Sequence, residues 1–275
     1  MATRRILLLG DVCSGAGREA VRQELARLRR GHGADFVIVN VENVAGGYGV
    51  TPRLADALLG AGADCLTTGD HAFDRKDAWR YYDTQPAILR PLNYPPGVPG
   101  RGYAVFERAG FRVAVVNLVG RVFMKPLDCP FQRAAPVVDE LRRQLKVVVV
   151  DFHAEATAEK QAMGWFLDGR VSALLGTHTH VQTADEHVLP GGTAYITDVG
   201  MCGAFDSVLG MEKDLSVRRQ VEQVPVRLLP ARSDPRINGV LVDVDDESGR
   251  ALAIERLSVP VVLAGDAAGT EPAAG

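Results

Sequence analysis

The apolar run Val171-Ser172-Ala173-Leu174-Leu175 ends abruptly in Gly176-Thr177-His178-Thr179-His180. Such a run reads as a buried strand. In extended chain, residues two apart point to the same side, so His178 and His180 are expected to leave the strand end together. Two imidazoles on one face make part of a metal site. A lone H-x-H on a loop reads equally well as two satisfied histidines. The rest of the chain repeats the design, however, and that repetition constrains the fold. Arg5 to Gly10 is a strand closed by Asp11, and Asp35 to Val41 is one closed by Glu42-Asn43. Asp64 to Thr68 is closed by Gly69-Asp70-His71, and Lys146 to Phe152 by His153.

Helical spacing fills the gaps. It predicts helices over Arg18 to Arg30, Thr51 to Leu59, Arg75 to Tyr82, Pro136 to Leu145, Ala154 to Phe166 and Glu212 to Val221. Gly102 to Phe106 and Phe111 to Leu118 read as a hairpin around Gly110. Thr193 to Thr197, Pro225 to Leu229, Asn238 to Asp245 and Ala251 to Ser258 read as further strands. Strands and helices alternate first, and strands dominate later. That order predicts a layered α/β fold with a mixed sheet or two sheets. One domain over residues 1–262 is the simplest division, with 263–275 a flexible tail. The Pro- and Gly-rich segment Arg90 to Arg101 is expected to rim a cleft.

Composition narrows the partners. The chain has 275 residues, is 47% hydrophobic and carries a net charge of −3, without a long basic run. A nucleic-acid backbone or a membrane surface is not indicated. The apolar stretch near the N-terminus is too short for a signal peptide, and no run is long enough to span a bilayer. Cys13, Cys65, Cys129 and Cys202 are widely spaced without a CxxC pair, which points to a reducing cytoplasm. Whether the tail and the proline-rich loop serve homo-oligomer contacts stays open.

Ligands gather at the carboxyl ends of strands in α/β sheets. If these strands lie side by side, Asp11, Glu42, Asn43, Asp70, His71, His153, His178 and His180 converge. Histidines and carboxylates without cysteine pairs suit zinc, manganese or iron. The ligands outnumber the needs of one tetrahedral ion, which favours two metals sharing a carboxylate, an arrangement used for phosphoryl transfer. Each residue also has a bland reading. Asp11 could cap a helix, Asn43 could be a turn residue, His71 could be a core histidine, and His153 could begin a helix. His32 and His187 lie away from the strand ends and read as surface. Arg90, Arg121 and Arg170 are candidates for contact with a substrate phosphate.

Gly10-Asp11, Val41-Glu42-Asn43, Gly69-Asp70-His71 and Asp151-Phe152-His153-Ala154-Glu155-Ala156-Thr157 form an ordered series. Gly176 to Asp185 and Tyr195-Ile196-Thr197-Asp198-Val199-Gly200-Met201 complete it. The series resembles the calcineurin-like metallophosphoesterases, and in particular the bacterial YmdB-type phosphodiesterase branch, over roughly residues 4–260. The resemblance implies a four-layer α/β/β/α sandwich with two metal ions at the strand ends, iron first, then manganese or zinc. Asp11, Glu42, Asn43 and His180 would hold one ion, and Glu42, Asp70, His153 and His178 the other, with Glu42 bridging. His71 would stand beside the metals as the catalytic group. The implied activity is hydrolysis of phosphodiesters, including 2′,3′-cyclic nucleotides, by a hydroxide held between the ions.

Two positions depart from that pattern. Cys13 stands where the wider superfamily often has histidine, and it reads as a packed neutral thiol. Asp70 stands where the branch usually has asparagine. Asp11, Glu42, Asp70 and a hydroxide would then neutralise two divalent ions, which points to a trivalent iron or to weaker phosphate binding. The same residues would also serve a phosphomonoesterase or protein phosphatase, or a regulatory protein that binds metal and nucleotide without turnover. Amidohydrolase-type sites lean on an early H-x-H, whereas here it comes late.

Overall fold

The computed structural model describes residues 2–264. The strands are β1 (Thr3–Leu9), β2 (Asp11–Val12), β3 (Phe36–Asn40), β4 (Cys65–Thr67), β5 (Tyr103–Arg108), β6 (Phe111–Val119) and β7 (Val147–His153). They continue as β8 (Ala173–Thr177), β9 (His187–Val188), β10 (Ala194–Ile196), β11 (Met201–Ala204), β12 (Pro235–Asp245) and β13 (Ala251–Pro260). The helices are α1 (Ser14–His32), α2 (Pro52–Ala61), α3 (Asp77–Thr84), α4 (Pro130–Gln144), α5 (Thr157–Leu167) and α6 (Lys213–Glu222).

One sheet has the order β2-β11-β12-β1-β3-β4, with β13 also paired to β12. The other runs β5-β6-β7-β8-β10-β9. β1, β3 and β4 are parallel, as are β6, β7, β8 and β10. Alternation along β1 shows how the layers form. Leu7 and Leu9 pack with Val21, Leu25 and Leu58 of α1 and α2. Ile6 and Leu8 point the other way, against Val113, Val149 and Leu175 of the second sheet. The far side of that sheet packs on Val138 and Leu141 of α4 and Met163 of α5. The result is the expected α/β/β/α order. Both faces of each sheet are covered, which is why the strands read as continuous apolar runs.

Three expectations change. α4 starts at Pro130 and runs through Pro136, because Ala134, Val138 and Leu141 on one face stay buried and outweigh one lost hydrogen bond. Pro225 to Leu229 forms no strand. Its alternation finds no sheet neighbour, and Val224 and Leu229 remain exposed. The segment after β8 leaves the extended region at once: His178 has φ 100° and His180 φ 67°. Among the described residues no helix is long and apolar enough to cross a membrane. Of the expected tail, residues 265–275 lie outside the described residues.

Gly176 shows how tightly the second sheet is built. A Cβ there would overlap the carbonyl oxygen of Thr197, a backbone atom that cannot swing aside. Gly176→Ala is expected to destabilise the protein by about 1–3 kcal/mol or more, read as a lower urea midpoint with an unchanged slope.

Candidate metal centre

The two sheets bring different chemistry to one crevice. Asp11, Glu42, Asn43 and Asp70 follow β1, β3 and β4 of the first sheet, whereas His153 ends β7 and His178 follows β8 of the second. The strands therefore do not lie side by side in one sheet. They face each other, carboxylates on one side and imidazoles on the other.

Glu42, Asp70, His153 and His178 place one ligand atom each within 4.8 Å of all the others. His153 Nε2 lies 2.9 Å from His178 Nδ1, 3.0 Å from Glu42 Oε1 and 3.4 Å from Asp70 Oδ1. His178 Nδ1 lies 3.7 Å from Asp70 Oδ1. Four ligands about 2.1 Å from a tetrahedral ion stand about 3.4 Å apart, so the spacing fits a cation. Two further observations agree. Asp11 Oδ1 and Asp70 Oδ1 are buried and accept no hydrogen bond among the described residues. A Cβ on Gly69 would overlap the His153 ring and the Glu42 carboxylate, so the cage closes only around glycine.

Charge balance points the same way. Burial opposes a charged His153, yet Glu42, Asp70 and Asp11 outweigh it and raise the imidazole well above its ordinary range. Burial likewise opposes an ionised Asp70, but His153, His71 and His178 hold its carboxyl low. Burial and the neighbouring His153 lower His178 to about 4. The carboxylates thus demand positive charge at His153, which a cation would supply in place of the proton, and His178 is held neutral.

The remaining residues adjoin this cage. Asp11 Oδ2 accepts the His178 backbone N–H at 3.0 Å. Burial raises the Asp11 carboxyl to about 6, against the pull of His153 and His180. His180 Nε2 lies 3.2 Å from Asn43 Oδ1. His71 donates its backbone N–H to Glu42 Oε2 at 3.3 Å, and its Nδ1 meets Asp74 Oδ2 at 2.7 Å. With Nδ1 on Asp74, Nε2 is the nitrogen left for the cavity that His71 lines. That cavity, about 270 Å³, is also lined by Glu42, Asn43, His178 and His180.

Several supporting residues escaped the sequence reading. Thr177 sits beside His153 in the parallel register, so its hydroxyl reaches His153 Nδ1 at 2.9 Å and donates to Asp151 Oδ1 at 2.7 Å. This relay turns Nε2 toward the cage. Glu155 Oε2 lies 3.0 Å from His178 Nε2, leaving Nδ1 for the cage. Asp198 accepts both the N–H and the hydroxyl of Thr179, at 2.9 and 2.7 Å, together with Lys160 Nζ at 2.8 Å. The left-handed turn carrying both histidines therefore hangs on a fully buried ion pair. Asp151, Glu155 and Asp198 lay within the quoted motifs, but nothing in the motifs assigned them partners. Lys160 gave no signal, because a lysine on an amphipathic helix ordinarily reads as solvated.

The arginine candidates separate. Arg90 is buried and holds the carbonyls of Pro91, Leu92 and Gly100, so it braces the proline-rich loop. Arg170 pairs with Asp139 at 2.7 Å and with the Ala135 carbonyl, at the opposite end of β8 from the cage. Arg121 is exposed beyond the carboxyl end of β6, its backbone N–H held by Glu159. Lys125, not singled out from sequence, reaches the Asp70 carbonyl at 2.6 Å. Cys13 is buried, and burial raises its thiol to about 11, so it packs as a neutral group. His32 and His187 lie outside the cluster.

The family model described as "YmdB-like protein" matches residues 7–257. The chain belongs to the YmdB-like family. It is 44% identical over 255 residues to a Bacillus subtilis protein named 2′,3′-cyclic-nucleotide 2′-phosphodiesterase, covering 93% of this chain and 97% of that one. A crystal structure of a novel phosphatase from Mycoplasma pneumoniae superposes with TM-score 0.89 at 34% identity, over 94% of each chain. A 5′-nucleotidase structure from Staphylococcus aureus shares the fold alone, with TM-score 0.58 at 15% identity over 95% of this chain and 55% of that one. The YmdB-like chain is thus an enzyme of the calcineurin-like metallophosphoesterase superfamily.

Breaking the ion pair tests the support of the histidine turn. Lys160→Met strands the Asp198 carboxylate in a dry site, and it is expected to lower stability by about 3–5 kcal/mol in equilibrium chemical denaturation.

Proposed function

We propose that this chain hydrolyses phosphodiesters, 2′,3′-cyclic nucleotides among them, at a dinuclear metal centre. The cage of Glu42, Asp70, His153 and His178, with His71 beside it, carries the reading. Glu42, Asp70, His153 and His178 would hold one ion, and Asp11, Glu42, Asn43 and His180 the second. Iron, manganese and zinc all suit this mixture of imidazole and carboxylate. Two bound cations supply Lewis acidity and lower the pKa of the water nucleophile.

The chain's own residues supply the rest. Asp74 orients His71 through Nδ1, so Nε2–H can reach the leaving ribose oxygen. Attack on phosphorus breaks the bond to that oxygen, and the proton from His71 lets it depart as a neutral hydroxyl. A ribose hydroxyl is a poor leaving group and gains most from this proton. Glu155, Thr177 and Asp198 keep both histidine rings aimed, so little reorganisation accompanies the reaction.

His71→Ala is expected to cut turnover of adenosine 2′,3′-cyclic phosphate by about 10²–10⁴-fold, with metal content near wild type by elemental analysis. Loss of metal in that variant would make His71 a ligand and end its assignment as acid. Asp70→Asn removes one negative charge, and is expected to tighten competitive inhibition by inorganic phosphate. If the inhibition constant did not move while only divalent metal was bound, the charge argument for Asp70 would fail. Comparison of cyclic diesters with phosphomonoesters separates this reading from a monoesterase on the same centre.

A further inference from the structure

The loop after Asn43 is built to hold one aromatic ring. Gly46, Gly47 and Gly49 flank Tyr48 with φ of 72°, 99° and 74°, a left-handed path that glycine permits. The loop is pinned at both ends. Asn43 Nδ2 donates to the Gly47 carbonyl at 3.0 Å, and the Gly47 N–H donates to the Asn43 carbonyl at 3.0 Å. Arg75 holds the carbonyls of Tyr48 and Ala45, at 3.0 and 2.7 Å. A loop fixed so firmly nevertheless leaves the Tyr48 residue 44% exposed. The ring meets His71 in a T-shaped contact, centroids 5.1 Å apart, and lines the same cavity.

A second apolar wall belongs to that cavity. Leu209 is 49% exposed and adopts a left-handed φ of 52°. Its carbonyl lies 3.3 Å from His180 Nδ1, so it too is tied to the candidate centre. Met211 packs against Gly47 and also lines the cavity. One aromatic ring, one leucine and one thioether thus edge a site whose floor is carboxylate and imidazole. The apolar rim has no role in holding cations or in moving protons.

We propose that Tyr48, with Leu209 and Met211, forms the slot that stacks the nucleobase of the substrate. The proposal rests on the phosphodiesterase reading and adds what selects a nucleotide over other diesters. A base has two π-faces, and stacking on an exposed phenol ring tolerates every base. Tyr48 and His71 are in contact, so a stacked base brings its ribose toward the proton donor. A purine offers the larger face and is the preferred occupant.

The test compares two five-membered cyclic diesters, adenosine 2′,3′-cyclic phosphate and glycerol 1,2-cyclic phosphate, which has no base. Tyr48→Ala is expected to lower kcat/KM for the nucleotide about 5- to 150-fold relative to the base-free diester, the range base–aromatic stacking spans. The loss should appear mainly in KM, and Tyr48→Phe should restore it. An equal loss on both substrates would overturn the slot and leave Tyr48 as a support for His71. A wild type that hydrolyses neither diester would instead end the phosphodiesterase reading. In that case calorimetry with adenosine 3′-monophosphate on the manganese-loaded protein decides the slot alone. Weaker binding in Tyr48→Ala supports it, and equal affinity overturns it.

Discussion

Carboxylates gathered in one dry crevice need positive charge, and much of this structure is arranged to supply it. Asp11 and Glu42 are buried, Asp70 is nearly so, and the crevice raises His153 far above its ordinary range. In a low dielectric, like charges at such spacing repel strongly unless cations or protons intervene. The protein divides the task between its sheets. Acids come from strand ends of one sheet and imidazoles from the other, so opposite charges meet across the sandwich. Neither sheet alone carries a complete cage.

Such a cage works only if its histidines cannot drift. Thr177 and Asp151 fix His153 from behind, and Asp198 with Lys160 fixes the turn that carries His178 and His180. A buried ion pair is a poor source of net stability, because desolvation cancels much of the attraction. It is better understood here as a specifying contact: it selects one backbone path for Thr179, and with it the left-handed φ of both neighbouring histidines. The arrangement concentrates strain next to the site and balances it with hydrogen bonds from α5 and the strand-end loops.

The site was legible as far as strand ends are legible. Each apolar run stops at a polar residue, and that stop survives any error in helix boundaries. Pro136 hid the true start of α4, since a proline reads as a first turn. The alternation in Pro225 to Leu229 described a strand with no sheet to join. H-x-H read as an extended pair, because local pattern cannot see Asp198 pulling Thr179 from nineteen residues away. The arginines misled for a related reason. A guanidinium looks like a phosphate ligand until Arg90 is seen capping carbonyls of its own loop, and Arg170 at the wrong end of its strand.

The residue types, their order and their place at strand ends were set by the sequence alone. Together with the motif spacing, they determined the layered α/β class and the family. The backbone twist of the histidine turn, the supporting acids and the seating of Tyr48 were decided by tertiary structure. The division has a physical cause. Strand-end polarity is a local property, written in the contrast between neighbouring residues. Ligand orientation is not local: it depends on hydrogen bonds between Thr179 and Asp198, His178 and Glu155, and Arg75 and the Tyr48 loop. Those partners sit on loops distant in sequence, and they meet only once the strands that carry them have paired side by side within each sheet.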